Sequence, residues 1–150
     1  MRRLALAFAT ALGVGYVPVA SGTFGAAVGL VLWSVLPATT AVQAATIVLL
    51  FAIGSWAGTI AEEHFGARDP GAVVIDEVMG MLITLFLNPV GWKGALAGFL
   101  LFRIFDVIKP YPANALEALP GGAGVMADDA MAAVYSNLAL RLGLWLVARL

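Results

Sequence analysis

The feature that most constrains this chain is a succession of long apolar runs broken by very few charges. A helix that crosses a membrane needs roughly 17–25 mostly apolar residues. Five runs approach that length: residues 24–36, 41–61, 72–87, 94–108 and 130–150. The second and the last reach it alone. The other three reach it only with flanking residues, and two of those extensions carry charge. Hydrophobic residues make up 62% of the 150 and charged residues 11%, against about 45–50% and 25% in a soluble domain. The expected architecture is an all-α, polytopic membrane helix bundle of about five spanning helices. It would form a single domain over residues 1–150. Disorder is excluded, since a disordered chain is polar and charged.

The first twenty residues carry Arg2 and Arg3 ahead of an apolar stretch, the order of a signal peptide. Pro18-Val19-Ala20 is a poor cleavage sequence, and no polar domain follows it. Gly13, Gly15 and Pro18 break the run before it is long enough to span. This segment reads as amphipathic or re-entrant.

Alternating the chain across five spans places residues 1–22, 62–71 and 109–129 on one side. All nine acidic residues then fall on or near it: Glu62, Glu63, Asp69, Asp76, Glu77, Asp106, Glu117, Asp128 and Asp129. Arg2, Arg3, Arg68, Arg103 and Lys109 share that side, and Lys93, Arg141 and Arg149 lie on the other. The excess of Lys and Arg makes the acidic side cytoplasmic. Tyr and Trp residues such as Tyr16, Trp33, Trp92 and Trp145 suit the two interfaces.

Glu62, Glu63, Glu117 and His64 read as solvated loop residues. Asp76, Glu77 and Asp106 differ, because apolar residues surround them. A carboxylate at membrane depth costs about 2.5–3.5 kcal/mol on insertion scales, so it persists with a partner or a task. Arg103 and Asp106 lie three apart, on one helix face, and a structural ion pair would account for both. It would leave Asp76 and Glu77 unexplained. Those two are neighbours, about 100° apart on a helix, so one would be a ligand and the other an outer acceptor. Asp128-Asp129 follows the glycine-rich 121–124 stretch, where one Asp would suffice as a helix N-cap. Lys109 before Pro110 suits a helix C-terminus, or an anion clamp. Ser21-Gly22-Thr23 opens the first run, where free backbone N–H groups would favour a phosphate. Close helix packing is the simpler role for the glycine pairs at 25/29, 54/58 and 94/98.

Clustered carboxylates without any cysteine favour a hard, oxygen-seeking cation, most simply Mg²⁺. Zero cysteines also exclude disulfides and thiolate catalysis. A formal net charge of −1 gives no basic field for a nucleic acid. Beside Arg and Lys, such a cation implies metal-assisted phosphoryl transfer or hydrolysis at the membrane face. Two other classes compete. An ion or proton transporter would place its charges near the midplane, often with repeat symmetry, and no repeat is present. A CDP-alcohol phosphatidyltransferase would carry an Asp-Gly-x-x-Ala-Arg signature, which is absent.

Four stretches together resemble one family. They are Gly13-x-Gly15-x-x-Pro18-x-x-Ser21-Gly22-Thr23-x-Gly25, Asp69-Pro70-x-x-Val73-Val74-Ile75-Asp76-Glu77-x-x-Gly80-Met81, Phe102-Arg103-x-Phe105-Asp106-x-x-Lys109-Pro110-x-Pro112 and Gly121-Gly122-x-Gly124-Val125-Met126-x-Asp128-Asp129. In order and spacing they look like phosphatidylglycerophosphatase A, with Ser21 standing where that pattern has proline. The resemblance implies a Mg²⁺-dependent enzyme of the bacterial inner membrane. It would remove the terminal phosphate of phosphatidylglycerophosphate, a step toward phosphatidylglycerol and cardiolipin. It implies metal ligation by Asp76, Glu77, Asp106, Asp128 and Asp129, with Asp76, Asp106 and Asp129 catalytic. Ser21, Gly22, Thr23, Asp69, Arg103 and Lys109 would bind substrate. Metal count and oligomeric state are left open.

Overall fold

The computed structural model describes residues 1–149 and is helical throughout, with no strand among them. The helices are α1 (Arg2–Ala9), α2 (Ser21–Val35), α3 (Thr40–Phe65), α4 (Ile75–Leu85), α5 (Trp92–Ile108), α6 (Ala113–Leu116) and α7 (Gly122–Val147). A 3₁₀ turn, Val14–Tyr16, follows α1. Local chemistry sets the ends. Gly66 stops α3 in a left-handed conformation, its N–H donating to the Glu62 carbonyl. Lys109, left-handed at φ 44°, ends α5 just before Pro110.

α3 and α7, 26 residues each, are long and apolar enough to cross a membrane. At 1.5 Å per residue α2 and α5 span only about 22–26 Å, and α4 about 16 Å. The apolar run at 72–87 is therefore half a crossing, because its first residues form the extended approach to α4. Almost every residue of α4 is buried, enclosed by α2, α3, α5 and α7. The run at 130–150 also differs. Its helix begins at Gly122, eight residues earlier than expected, and residue 150 lies outside the described residues.

Small residues make this arrangement possible. Gly29 lets α2 lie against α4, where a Cβ would sit 2.6 Å from the Val78 carbonyl oxygen. Gly58 does the same for α3 on α7, with Gly122 Cα only 2.9 Å from that position. Side chains supply the missing caps. Thr59 Oγ1 on α3 accepts from the Gly122 N–H at 2.9 Å, capping α7 from another helix. Asn137 Nδ2 on α7 lies 2.7–3.0 Å from the carbonyls of Ile83, Thr84 and Phe86 at the end of α4, adding a donor from another helix to those that Phe86 N–H and Asn88 Nδ2 supply.

The interior is mainly apolar, yet it also encloses acids, and the surface carries many large apolar side chains. Val31, Val48, Leu49, Leu100, Leu138 and Val147 are exposed, while Asp76, Asp106, Asp128, Asp129 and Ser136 are buried. The connections gather at two ends. At one, Arg2 pairs with His64 and Ser21 donates to the Gly71 carbonyl at 2.6 Å. At the other, Trp33, Thr40, Asn88 and Val90 line a cavity of about 550 Å³.

Candidate active site

Three helices bring their acidic residues to the first of these ends. Asp76 and Glu77 occupy the first turn of α4, where the helix dipole favours negative charge. Arg103 and Asp106 lie near the end of α5, and Asp128 and Asp129 in the second turn of α7. Carboxylate oxygens of Asp76, Glu77 and Asp129 all lie within 4.8 Å of one another. In each of these residues one buried oxygen has no hydrogen-bond partner: Asp76 Oδ1, Glu77 Oε2 and Asp129 Oδ2. Buried charge without compensation costs several kcal/mol per ion, so three carboxylates this close, each with an unpartnered buried oxygen, suit a cation. An all-oxygen donor set suits a hard divalent ion such as Mg²⁺. These residues fit that ion.

Arg103 flanks the cluster. Its Nη1 is 2.6 Å from Asp106 Oδ2 and 3.6 Å from Glu77 Oε1. Both contacts use one nitrogen of a guanidinium that carries five N–H donors. Gly22, at the start of α2, touches the same group, and a Cβ there would collide with Glu77 Oε1 and press on Arg103 Nη1. Its role here is absence of a side chain.

A second group adjoins the first through Asp128. Lys109 Nζ is 2.5 Å from Asp128 Oδ2 and 3.9 Å from both Asp69 Oδ2 and Glu117 Oε2. Burial lowers the Lys109 pKa, but the hydrogen bond to Asp128 and the surrounding carboxylates outweigh it and hold it above the ordinary lysine range. Burial raises the Asp69 carboxyl above its usual range, and Lys109 offsets part of that rise. Asp69 is itself in the left-handed region at φ 41°. Its N–H donates to Glu62 Oε1 at 3.1 Å.

Several expectations change. Asp76 and Glu77 reach the same site together, although they are neighbours on a helix. They sit in the first turn of α4, and the longer glutamate arm closes the angular gap to Asp129. Of the five expected ligands, Asp106 and Asp128 lie outside the three-residue cluster and face Arg103 and Lys109 instead. Neither Asp128 nor Asp129 is an N-cap. Gly121 caps α7, and Gly122 and Gly124 lie inside the helix, where a side chain would collide with Ser55 and Thr59 of α3 and with the Glu117 and Leu119 carbonyls respectively. The Ser21 hydroxyl proton goes to the Gly71 carbonyl, tying α2 to the loop before α4. Gly22 adjoins the cluster, and Thr23 stands in the same first turn, partly buried. Glu62 and Glu117 are not merely solvated, since one holds the Asp69 backbone and the other faces Lys109. The sequence signal for Glu62 is its place in the last turn of a long helix, followed by a short return to Asp69.

The chain has relatives of known name. The family model for Phosphatidylglycerophosphatase A matches residues 7–144. A Haemophilus influenzae protein named Phosphatidylglycerophosphatase A is 36% identical over 132 residues, covering 85% of this chain and 81% of its own. Its Escherichia coli namesake is 34% identical over 131 residues, covering 85% and 76%. A Bacteroides thetaiotaomicron protein, provisionally named as a phosphatidylinositol-3-phosphatase, is 38% identical over 148 residues, covering 92% of both chains. No solved structure matches.

Gly22→Ala tests the packing of this site. The added methyl must displace Glu77 or Arg103. Disturbing the groups that orient a metal ligand costs about 10–100-fold in metal affinity or activity. The Mg²⁺ concentration for half-maximal phosphate release is expected to rise by about that factor. An unchanged Mg²⁺ requirement in the folded variant would show that Glu77 does not depend on Gly22.

Proposed function

We propose that this chain, which belongs to the phosphatidylglycerophosphatase A family, hydrolyses the terminal phosphate monoester of phosphatidylglycerophosphate with Mg²⁺ held by Asp76, Glu77 and Asp129. The products are phosphatidylglycerol and inorganic phosphate. The observation that carries this reading is the set of three unpartnered carboxylate oxygens beside an arginine with donors to spare. The names of the relatives denote two lipids of one chemical type, in which a hydroxylated unit joins a diester phosphate to a terminal monoester.

In the reaction a water oxygen attacks phosphorus and the bond from phosphorus to the head-group oxygen breaks. Water gives up a proton, and the departing oxygen gains one. Bound at the cluster, Mg²⁺ would supply positive charge against the oxygens of the transferring phosphoryl group. Arg103 meets those oxygens through N–H groups that Glu77 and Asp106 leave unused. Asp106, held by Arg103 outside the cluster, accepts the proton from water. Lys109 holds Asp128 and thereby the turn of α7 that carries Asp129, and its positive charge favours the anionic lipid.

The protein is placed in the bacterial cytoplasmic membrane as a multi-pass bundle, with the acidic end facing the cytoplasm. The exposed apolar surfaces of α3, α5 and α7 support the bilayer, and the Lys/Arg excess at the acidic end supports the orientation.

Phosphate release from the lipid in detergent micelles tests the chemistry. EDTA is expected to abolish it and Mg²⁺ to restore it. Asp76→Asn, Asp106→Asn and Asp129→Asn are each expected to cut turnover at saturating lipid at least about a hundredfold, the usual scale for a positioned acid or base. Full activity of the demetallated protein, or of all three folded variants, would contradict the site. Labelling with a membrane-impermeant thiol reagent tests sidedness, because the chain has no cysteine of its own. Ala67→Cys and Thr40→Cys place thiols at exposed positions near opposite ends. The first is expected to label in inside-out vesicles, the second in cells with a permeabilised outer membrane. The reverse pattern would invert the orientation.

A further inference from the structure

Beside the carboxylate cluster is a cleft of about 250 Å³, lined by residues that include Arg68, Asp69, Asn114, Glu117 and Val125. Two relations fix its place. Lys109 touches Asp69 and Glu117 on the cleft and Asp128 behind it, next to Asp129. Val125 on the cleft precedes Asp129 by four residues of α7, so about one helical turn of 5.4 Å separates them. A group in the cleft and a phosphate at Asp129 are therefore neighbours on one molecule's scale.

The lining selects the chemistry of the occupant. The volume lies below the roughly 300–1,000 Å³ of sites for drug-sized ligands, so the occupant is small. Three lining carboxylates, Glu62, Asp69 and Glu117, outnumber the one lining cation, Arg68, so the cleft disfavours the anionic part of the lipid. Lys109 compensates Asp69 and Glu117 from one side, and their remaining lone pairs are acceptors for hydroxyl protons. Asn114, on the short helix α6, offers an amide that both donates and accepts. A neutral hydroxylated group satisfies every one of these constraints.

We propose that this cleft is the head-group subsite, in which Asn114, Glu117 and Asp69 bind the hydroxylated unit that joins the lipid's two phosphates. The assignment rests on the phosphatase reading above and adds to it the residues that choose among lipids. Selectivity then resides in the loop before α4 and in α6, while the carboxylate cluster treats any terminal monoester alike. A lipid lacking the hydroxyl would forgo its hydrogen bonds to Asn114 and Glu117, which lowers its transition-state binding relative to the hydroxylated lipid.

The test compares phosphatidylglycerophosphate with its analogue in which the free head-group hydroxyl is replaced by hydrogen, both in micelles with the full-length protein. The readout is the ratio of kcat/KM for the two lipids, which a general loss of folded protein does not change. The wild-type ratio is expected to be at least about tenfold in favour of the hydroxyl. In the double variant Asn114→Ala, Glu117→Ala it is expected to fall to within about threefold of unity. A wild-type protein that does not distinguish the lipids, or a double variant that keeps the full preference, would overturn the assignment. Failure of the wild type to release phosphate from either lipid would overturn the phosphatase reading itself, and the head-group assignment with it.

Discussion

Everything at the acidic end of this bundle depends on how three carboxylate oxygens can share a buried space. Asp76, Glu77 and Asp129 bring oxygens within 4.8 Å of one another, and in each residue one oxygen has no partner in the protein. Like charges at that distance in a medium of low dielectric repel strongly. One guanidinium, already engaged with Glu77 and Asp106, does not balance the cluster. An all-oxygen set of this kind fits a hard divalent cation, the charge that the proposed Mg²⁺ would supply. The phosphate of an anionic lipid is a second ligand that such a centre can accept.

The scaffold is organised around holding α4 where its first turn can meet α5 and α7. α4 is only 11 residues long and is surrounded on every side, so its polar ends lie inside the molecule. Asn137 answers the carbonyls at its C-terminal end, and the acidic pair at its N-terminal end meets the dipole there. Glycines at 22, 29, 58 and 122 remove the side chains that would keep the helices apart.

The helical architecture and most of the site's members are legible in the sequence. Long apolar runs read as helices, the longest of them of membrane-spanning length, and acids embedded in such runs need a partner or a task. What the sequence hides is of three kinds. The extent of α4 is hidden because the apolar residues of its extended approach look like more helix. The glycine-rich stretch before Asp128 looks like a loop, but Thr59 caps a helix there and α3 requires its smallness. The division of the acids into a cluster around Asp129 and a group around Lys109 depends on side-chain reach, which spacing along a helix does not determine. Glu62 reads as a solvated charge unless its place at the end of a long helix is weighed, since its partner is a backbone N–H seven residues away.

The central claim is that the three oxygens hold a divalent cation, and direct binding tests it without reference to catalysis. Mn²⁺ can stand in for Mg²⁺ at an oxygen site, and its electron paramagnetic resonance signal is lost from the free-ion spectrum on binding. Titrating Mn²⁺ into purified protein in detergent is expected to show saturable binding that excess Mg²⁺ reverses. Asp129→Asn, with the same helical content, is expected to remove it. Mn²⁺ that stays free in the presence of folded wild-type protein, or that binds Asp129→Asn equally well, would contradict the account.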